Sequence, residues 1–100
     1  MPYTKILTIE EVRKAIYQDD DFDTDELERL ADTASSFIYQ KTGYDFGSDE
    51  TVEPLAKHCA ELYIRQQYFN GQGYNPEYDY TFGIAGLLID LQNIARDKDD

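Results

Sequence analysis

The sequence predicts an all-α fold, a small bundle of about four helices, in a single domain over residues 1–100. Three observations predict it. Apolar residues recur at helical spacing along most of the chain, and no run alternates convincingly as a half-buried strand does. Helix-start signals, a Thr or Asp followed three residues later by glutamate, stand at Thr8 and Asp23. Gly43 and Gly71 stand where helical runs end.

The first helix begins at "TIEE". Thr8 is the N-cap, Glu11 completes the capping-box spacing, and Ile9, Val12 and Ile16 mark its apolar face. The acidic run after Tyr17 ends it. The second helix begins near Asp23, where Asp25, Glu26 and Glu28 suit the positive end of the helix dipole. Its stripe is Leu27, Leu30, Ala31, Ala34, Phe37 and Ile38, and Gly43 stops it after Thr42. The segment "YDFGSDET" reads as a connection. The third helix runs from about Val52 to Asn70 with Pro54 in its first turn. Leu55, Cys59, Leu62, Tyr63 and Phe69 supply its apolar side. A long aromatic-rich loop, "GQGYNPEYDYTFG", follows, and long loops are often functional. Within it Tyr78, Tyr80 and Phe82 alternate, as a short extended segment would. The fourth helix covers roughly Ile84 to Ala95 through Leu87, Leu88, Leu91 and Ile94, and residues 96–100 are expected to fray.

Composition narrows the function classes. A chain of 100 residues, 41% hydrophobic, builds a modest core whose stability gains from assembly. The net charge of −12, from 21 acids and 9 bases, disfavours nonspecific attraction to nucleic acid or anionic membrane. Such a surface suits a basic partner, or a wall past which nucleic acid moves without sticking. The single cysteine, Cys59, cannot form an internal disulfide and fits a reducing interior. The opening residues lack a signal-peptide apolar region, and no run reaches the ~20 apolar residues of a membrane span. The expectation is a soluble intracellular protein without a membrane partner.

No catalytic, cofactor or metal site is expected. The stretch "YQDDDFDTDE" fails as a calcium loop. A frame from Asp19 puts Thr24 sixth and Leu30 twelfth, and a frame from Asp21 puts Glu26 and Asp32 there. Neither frame supplies the turn glycine and the closing glutamate. Its later acids cap the second helix, while Asp19, Asp20 and Asp21 face solvent only or a basic patch on a neighbouring subunit. His58 adjoins Cys59, but helical neighbours point about 100° apart and do not form a base–nucleophile pair. Cys59 reads as a small apolar core residue. "NGQGYN" lacks the lysine and hydroxyl residue of a phosphate-binding loop. Nine tyrosines are unusual for this length. Tyr74, Tyr78, Tyr80 and Phe82 form a candidate protein interface, since amphipathic aromatics favour interfaces. The alternative is a loop that folds back over its own core. Base stacking lacks nearby positive charge, because the loop carries Glu77 and Asp79 and no lysine or arginine.

The order of these features resembles a known family. "LTIEEVRKAIYQDDDFDTDELERLADTASSFIYQKTGYDF" is similar to the opening of the small head–tail connector (adaptor) proteins of tailed bacteriophages, often described as DNA-packaging proteins. That family has a short capped helix, an Asp-rich turn, and a longer Ala- and aromatic-containing helix ending in "TG". "VEPLAKHCAELYIRQQYFN" resembles its proline-started helix, and "IAGLLIDLQNIARD" its closing Leu-rich helix. The likeness covers nearly the whole chain and rests on the ordered combination rather than on one motif. It implies a structural virion protein that forms a ring of about twelve subunits below the portal, extends the DNA channel, and offers a surface to the tail-completion protein. It implies no enzyme activity, no cofactor and no sequence-specific DNA binding. The location implied is the head–tail junction of the virion, after synthesis in the bacterial cytoplasm. The alternative reading is an acidic inhibitor that imitates DNA and occupies a nucleic-acid-binding protein. A small enzyme is the third, and no catalytic set stands out for it.

Overall fold

In a computed structural model, which describes residues 5–16, 24–70, 76 and 79–99, the chain is all-helical. Its helices are α1 (Ile9–Ala15), α2 (Thr24–Thr42), α3 (Pro54–Phe69) and α4 (Thr81–Asp99), with a 3-10 turn at Phe46–Ser48. No strand occurs among the described residues. α2 and α3 form the central pair, and α1 and α4 each pack against both.

Local chemistry sets most of the boundaries. At α1 both halves of the capping box form. Glu11 N–H donates to Thr8 Oγ1 (3.2 Å), and Thr8 N–H donates to Glu11 Oε1 (2.9 Å). Leu7 and Val12 occupy the flanking positions of a hydrophobic staple, and both are buried. Upstream, Ile6 is also buried, and its N–H donates to the buried Ser35 hydroxyl on α2 (2.9 Å). The C-terminal end of α1 is held from α3, where Arg65 Nε donates to the Ala15 carbonyl (2.8 Å). That carbonyl is one of those a helix end leaves without an intrahelical donor.

α2 buries Leu27, Ala31, Ala34, Ser35 and Ile38, one face at helical spacing. It stops at Gly43, whose φ of 76° is the left-handed conformation glycine adopts without a Cβ penalty. Gly43 N–H donates to the Tyr39 carbonyl (2.7 Å). Pro54 is the first residue of α3, two residues later than the Val52 start read from sequence. There the missing proline N–H costs nothing. Along α3, Ala56, Cys59, Ala60, Leu62 and Ile64 face the core. Leu30, Phe37, Leu55, Tyr63, Leu87, Leu88 and Ile94 border it rather than fill it.

Three expectations change. The connection "YDFGSDET" holds a core residue, because Phe46 is fully buried in the 3-10 turn. α4 starts at Thr81 rather than Ile84, so the aromatic-rich loop ends earlier and Phe82 is helical. The cause is Asp79, whose Oδ1 accepts from Thr81 N–H (3.0 Å) and Thr81 Oγ1 (2.5 Å). This carboxylate satisfies an orphan donor of the first turn, and Ile84 N–H already bonds to the Tyr80 carbonyl (2.9 Å). Tyr80 and Phe82 therefore do not share an extended segment. They also form no aromatic cluster. The ring pairs found among the described residues are Phe37–Tyr63, Tyr44–Phe46 and Tyr68–Phe69. Finally, α4 runs on through Asp99, past the Ala95 end read from sequence. Lys98 anchors this extension through an ion pair with Asp49 (3.2 Å) and a position over the Tyr44 ring (5.4 Å).

Two carboxylates in these contacts titrate low. Asp49 accepts from the Tyr44 hydroxyl (2.5 Å), which with Lys98 holds its carboxyl below the ordinary 3.8 although burial works against this. At Glu11, burial pushes the carboxyl up, but the Lys57 ammonium (2.8 Å) and Thr8 outweigh it and hold the group below 4.5. A lowered folded pKa means the folded state binds fewer protons than the unfolded chain. The resulting stability is fully present above the unfolded values and is lost as pH falls through the folded ones. Urea midpoints are therefore expected to drop on acidification below pH 4.5, and less steeply in an Asp49→Asn, Glu11→Gln double variant. Parallel curves for the two proteins would remove these groups from the acid response.

Candidate assembly surface

Phe82 and Ile89 are the large apolar side chains that stand exposed among the described residues, at 94% and 60% of full exposure. Both lie on α4. With Ala85 and Gly86, also exposed, they recur at i, i+3, i+4 and i+7 and so share one face. The opposite face carries Ile84, Leu91 and Ala95 into the core. From Thr81 to Ile89 the helix has no charged side chain, although charged residues make up 30% of the protein. α4 is thus apolar on both sides over its first half, while most surface helices are polar on the outside.

Beside this strip lies a groove of about 370 Å³, lined by Phe37 and Lys41 of α2, Tyr63 of α3, and Ile84, Ala85 and Leu88 of α4. Its base is an edge-on aromatic pair, with the Phe37 and Tyr63 ring centroids 4.2 Å apart. Lys41 Nζ sits 5.9 Å from the Phe37 ring centroid. Burial raises the Tyr63 phenol above its ordinary value, so it stays neutral at physiological pH. Strip and groove together make an apolar surface of the kind that marks association.

The two helical glycines next to the strip differ. A Cβ on Gly83 would lie 3.1 Å from Leu62 Cδ1, so α4 approaches α3 closely there. A Cβ on Gly86 would meet nothing within 4 Å. Packing within the chain thus gives no reason for a glycine at 86, where an exposed helical glycine costs about 1 kcal/mol relative to alanine. Gly86→Ala is expected to stabilise the isolated chain by up to about 1 kcal/mol, whereas the sign of Gly83→Ala depends on how far Leu62 Cδ1 can shift. Urea denaturation measures both, and a loss of stability in Gly86→Ala would mean that the position is crowded.

Phe82 is the expected interface residue that lies fully on this surface. Tyr80 does not. It packs against the core, and its N–H donates to Gln66 Oε1 (2.7 Å), so it fastens the start of α4 to α3. Tyr74, Tyr78, Asp19, Asp20 and Asp21 lie outside the described residues, as do Asp23 and Phe22. The sequence reading missed Ala85, Gly86 and Ile89. The signal was available in "DYT", where an Asp two residues before a Thr starts the helix at 81 and puts 82, 85, 86 and 89 in line.

Elsewhere the chemistry is quiet. His58 is exposed and Cys59 is fully buried, so the two face different surroundings. Burial pushes the Cys59 thiol up to about 11, far from thiolate chemistry at neutral pH. Among the described residues no three His, Cys, Asp or Glu side chains are placed to hold a metal ion, and no helix is long and apolar enough to cross a membrane. A second cavity of about 350 Å³, lined by residues including Arg29, Asp32, Ser36 and Gln40, shares Phe37 and Tyr63 with the groove. Comparison with protein-family models, with curated proteins and with solved structures returned no match to this chain.

Proposed function

We propose that this chain is a structural assembly subunit of the head–tail connector kind. Its copies join in a ring of about twelve beneath a phage portal, extend the DNA channel, and present a surface to the tail-completion protein. The observation that carries the reading is the apolar groove between α2, α3 and α4, lined by Phe37, Tyr63, Ile84 and Leu88, on a domain of net charge −12. Contacts between copies use the first, and the acids that remain outside them suit a channel wall. DNA is repelled by such a wall and slides rather than binds. The resemblance of the residue order to that of small connector proteins points to the same reading. Tyr74 and Tyr78, with Asp19, Asp20 and Asp21, are further candidates for contacts between subunits. The chemistry asks for no cofactor, and the protein acts at the head–tail junction of the virion.

Electron microscopy of the purified protein mixed with portal rings tests this reading. The expected result is a closed ring stacked coaxially on the portal. Absence of any bound ring, together with competition against DNA for a nucleic-acid-binding enzyme, would favour the acidic DNA mimic instead.

A further inference from the structure

We propose that the outer face of α4 is a two-fold contact with a second copy of this chain, in which two α4 helices cross antiparallel at Ala85 and Gly86. In a two-fold contact, residue i meets residue j and j meets i. Phe82 and Ile89 are spaced evenly about Ala85–Gly86, about 10.5 Å apart along the helix. An antiparallel crossing at that midpoint sets Phe82 of each copy against Ile89 of the other. It also sets Ala85 against Gly86, where the helices come closest. The strip is therefore complementary to itself.

Three further observations select a copy as the occupant. No described residue comes within 4 Å of a Cβ built on Gly86, and a close-approaching neighbour gives its missing side chain a purpose. Small residues at a crossing let helix axes approach more closely than larger ones do. Charge points the same way. A basic partner would be drawn to carboxylates, whereas a partner that also carries −12 meets least repulsion on a strip with no acid between Thr81 and Ile89. At the strip's ends Arg96 offsets the acids Asp79 and Asp97. The exposed Asp79 stands at the start of α4 and the exposed Arg96 far along it. Antiparallel crossing brings the Arg96 end of one helix beside the Asp79 end of the other. Asp90 falls on the flank, level with the uncharged Thr81 of the second copy.

The contact stands apart from the connector reading. A two-fold contact closes on two copies, whereas a ring needs a head-to-tail surface. The groove at Phe37 and Tyr63 lies beside the strip and is left for that. Sedimentation velocity of the full chain and four variants separates the two. Wild type is expected to pair with rising concentration. Phe82→Asp and Ile89→Lys are each expected to be unpaired, and their equimolar mixture to pair again, because the new acid of one copy meets the new base of the other. Gly86→Leu is expected to lose pairing while its helical circular dichroism is kept and its single-chain stability is no lower than wild type's, which a glycine required by the fold would not allow. Gly86→Cys is expected to give a covalent dimer on mild oxidation, with the buried Cys59 left unreacted. Pairing that survives in Phe82→Asp and Gly86→Leu would overturn the proposal, as would no recovery in the mixture. Loss of pairing in Gly86→Leu with rings still forming on the portal would separate this contact from the ring. Absence of rings with pairing intact would count against the connector reading alone.

Discussion

Leu91→Asp is expected to leave the chain unfolded at room temperature. Leu91 is fully buried on the face of α4 that packs against α2 and α3. The substitution removes a core side chain, which for leucine truncations costs about 2–5 kcal/mol. It also places a carboxylate where it has no partner, adding several kcal/mol or forcing the group to stay protonated. A domain of this size has roughly 5–15 kcal/mol of stability in total. Far-UV circular dichroism checks the result against Leu91→Met, a volume-conserving change expected to cost under about 1.5 kcal/mol. A cooperative, wild-type-like melt in Leu91→Asp would mean that α4 does not dock on α2 and α3 through this face.

Phe46→Ala is expected to cost about 3–5 kcal/mol, as large aromatic truncations in cores do. Phe46 sits in a turn of three residues, yet it is fully buried and stacks edge-on with Tyr44 at 4.9 Å. Tyr44 in turn donates to Asp49, and Asp49 pairs with Lys98 near the end of α4. Loss of the Phe46 ring therefore removes core volume and also loosens the support of the Tyr44 clamp. Thermal unfolding measures the cost, and hydrogen exchange across the last two turns of α4 measures the loosening. A shift in melting temperature no larger than that of an exposed-site alanine would show that the turn is not part of the core.

The helices were legible because their signals are local. Thr8 with Glu11, Pro54 and Gly43 each act within one turn of their own position. The apolar faces of α2 and α3 follow from spacing alone. Phe46 was not legible, because a single aromatic in a polar connection carries no period. Its burial is decided by tertiary packing, which takes the ring into the core cluster. The start of α4 was partly legible: Gly83 read as the end of the loop, and the Asp79 carboxylate that starts the helix at Thr81 was not read as a cap. Gly86 is where local reading says least, since no packing among the described residues explains it. Lys98 was read as a fraying tail because its partner, Asp49, lies in a different connection. The acid-free strip was hidden for the same reason as the helix start. Once α4 begins at Thr81, Phe82 and Ile89 lie on one face, and Tyr80 turns inward.

The central claim is that this chain is built to associate with its own copies through the apolar surface around α4. The mass of the wild-type protein in solution, followed by light scattering over a wide concentration range, tests it most directly. The account predicts a mass that rises with concentration to a multiple of the single chain, and a Phe82→Asp protein that stays closer to the single-chain mass. A wild-type protein that keeps the mass of one chain at every concentration would contradict it.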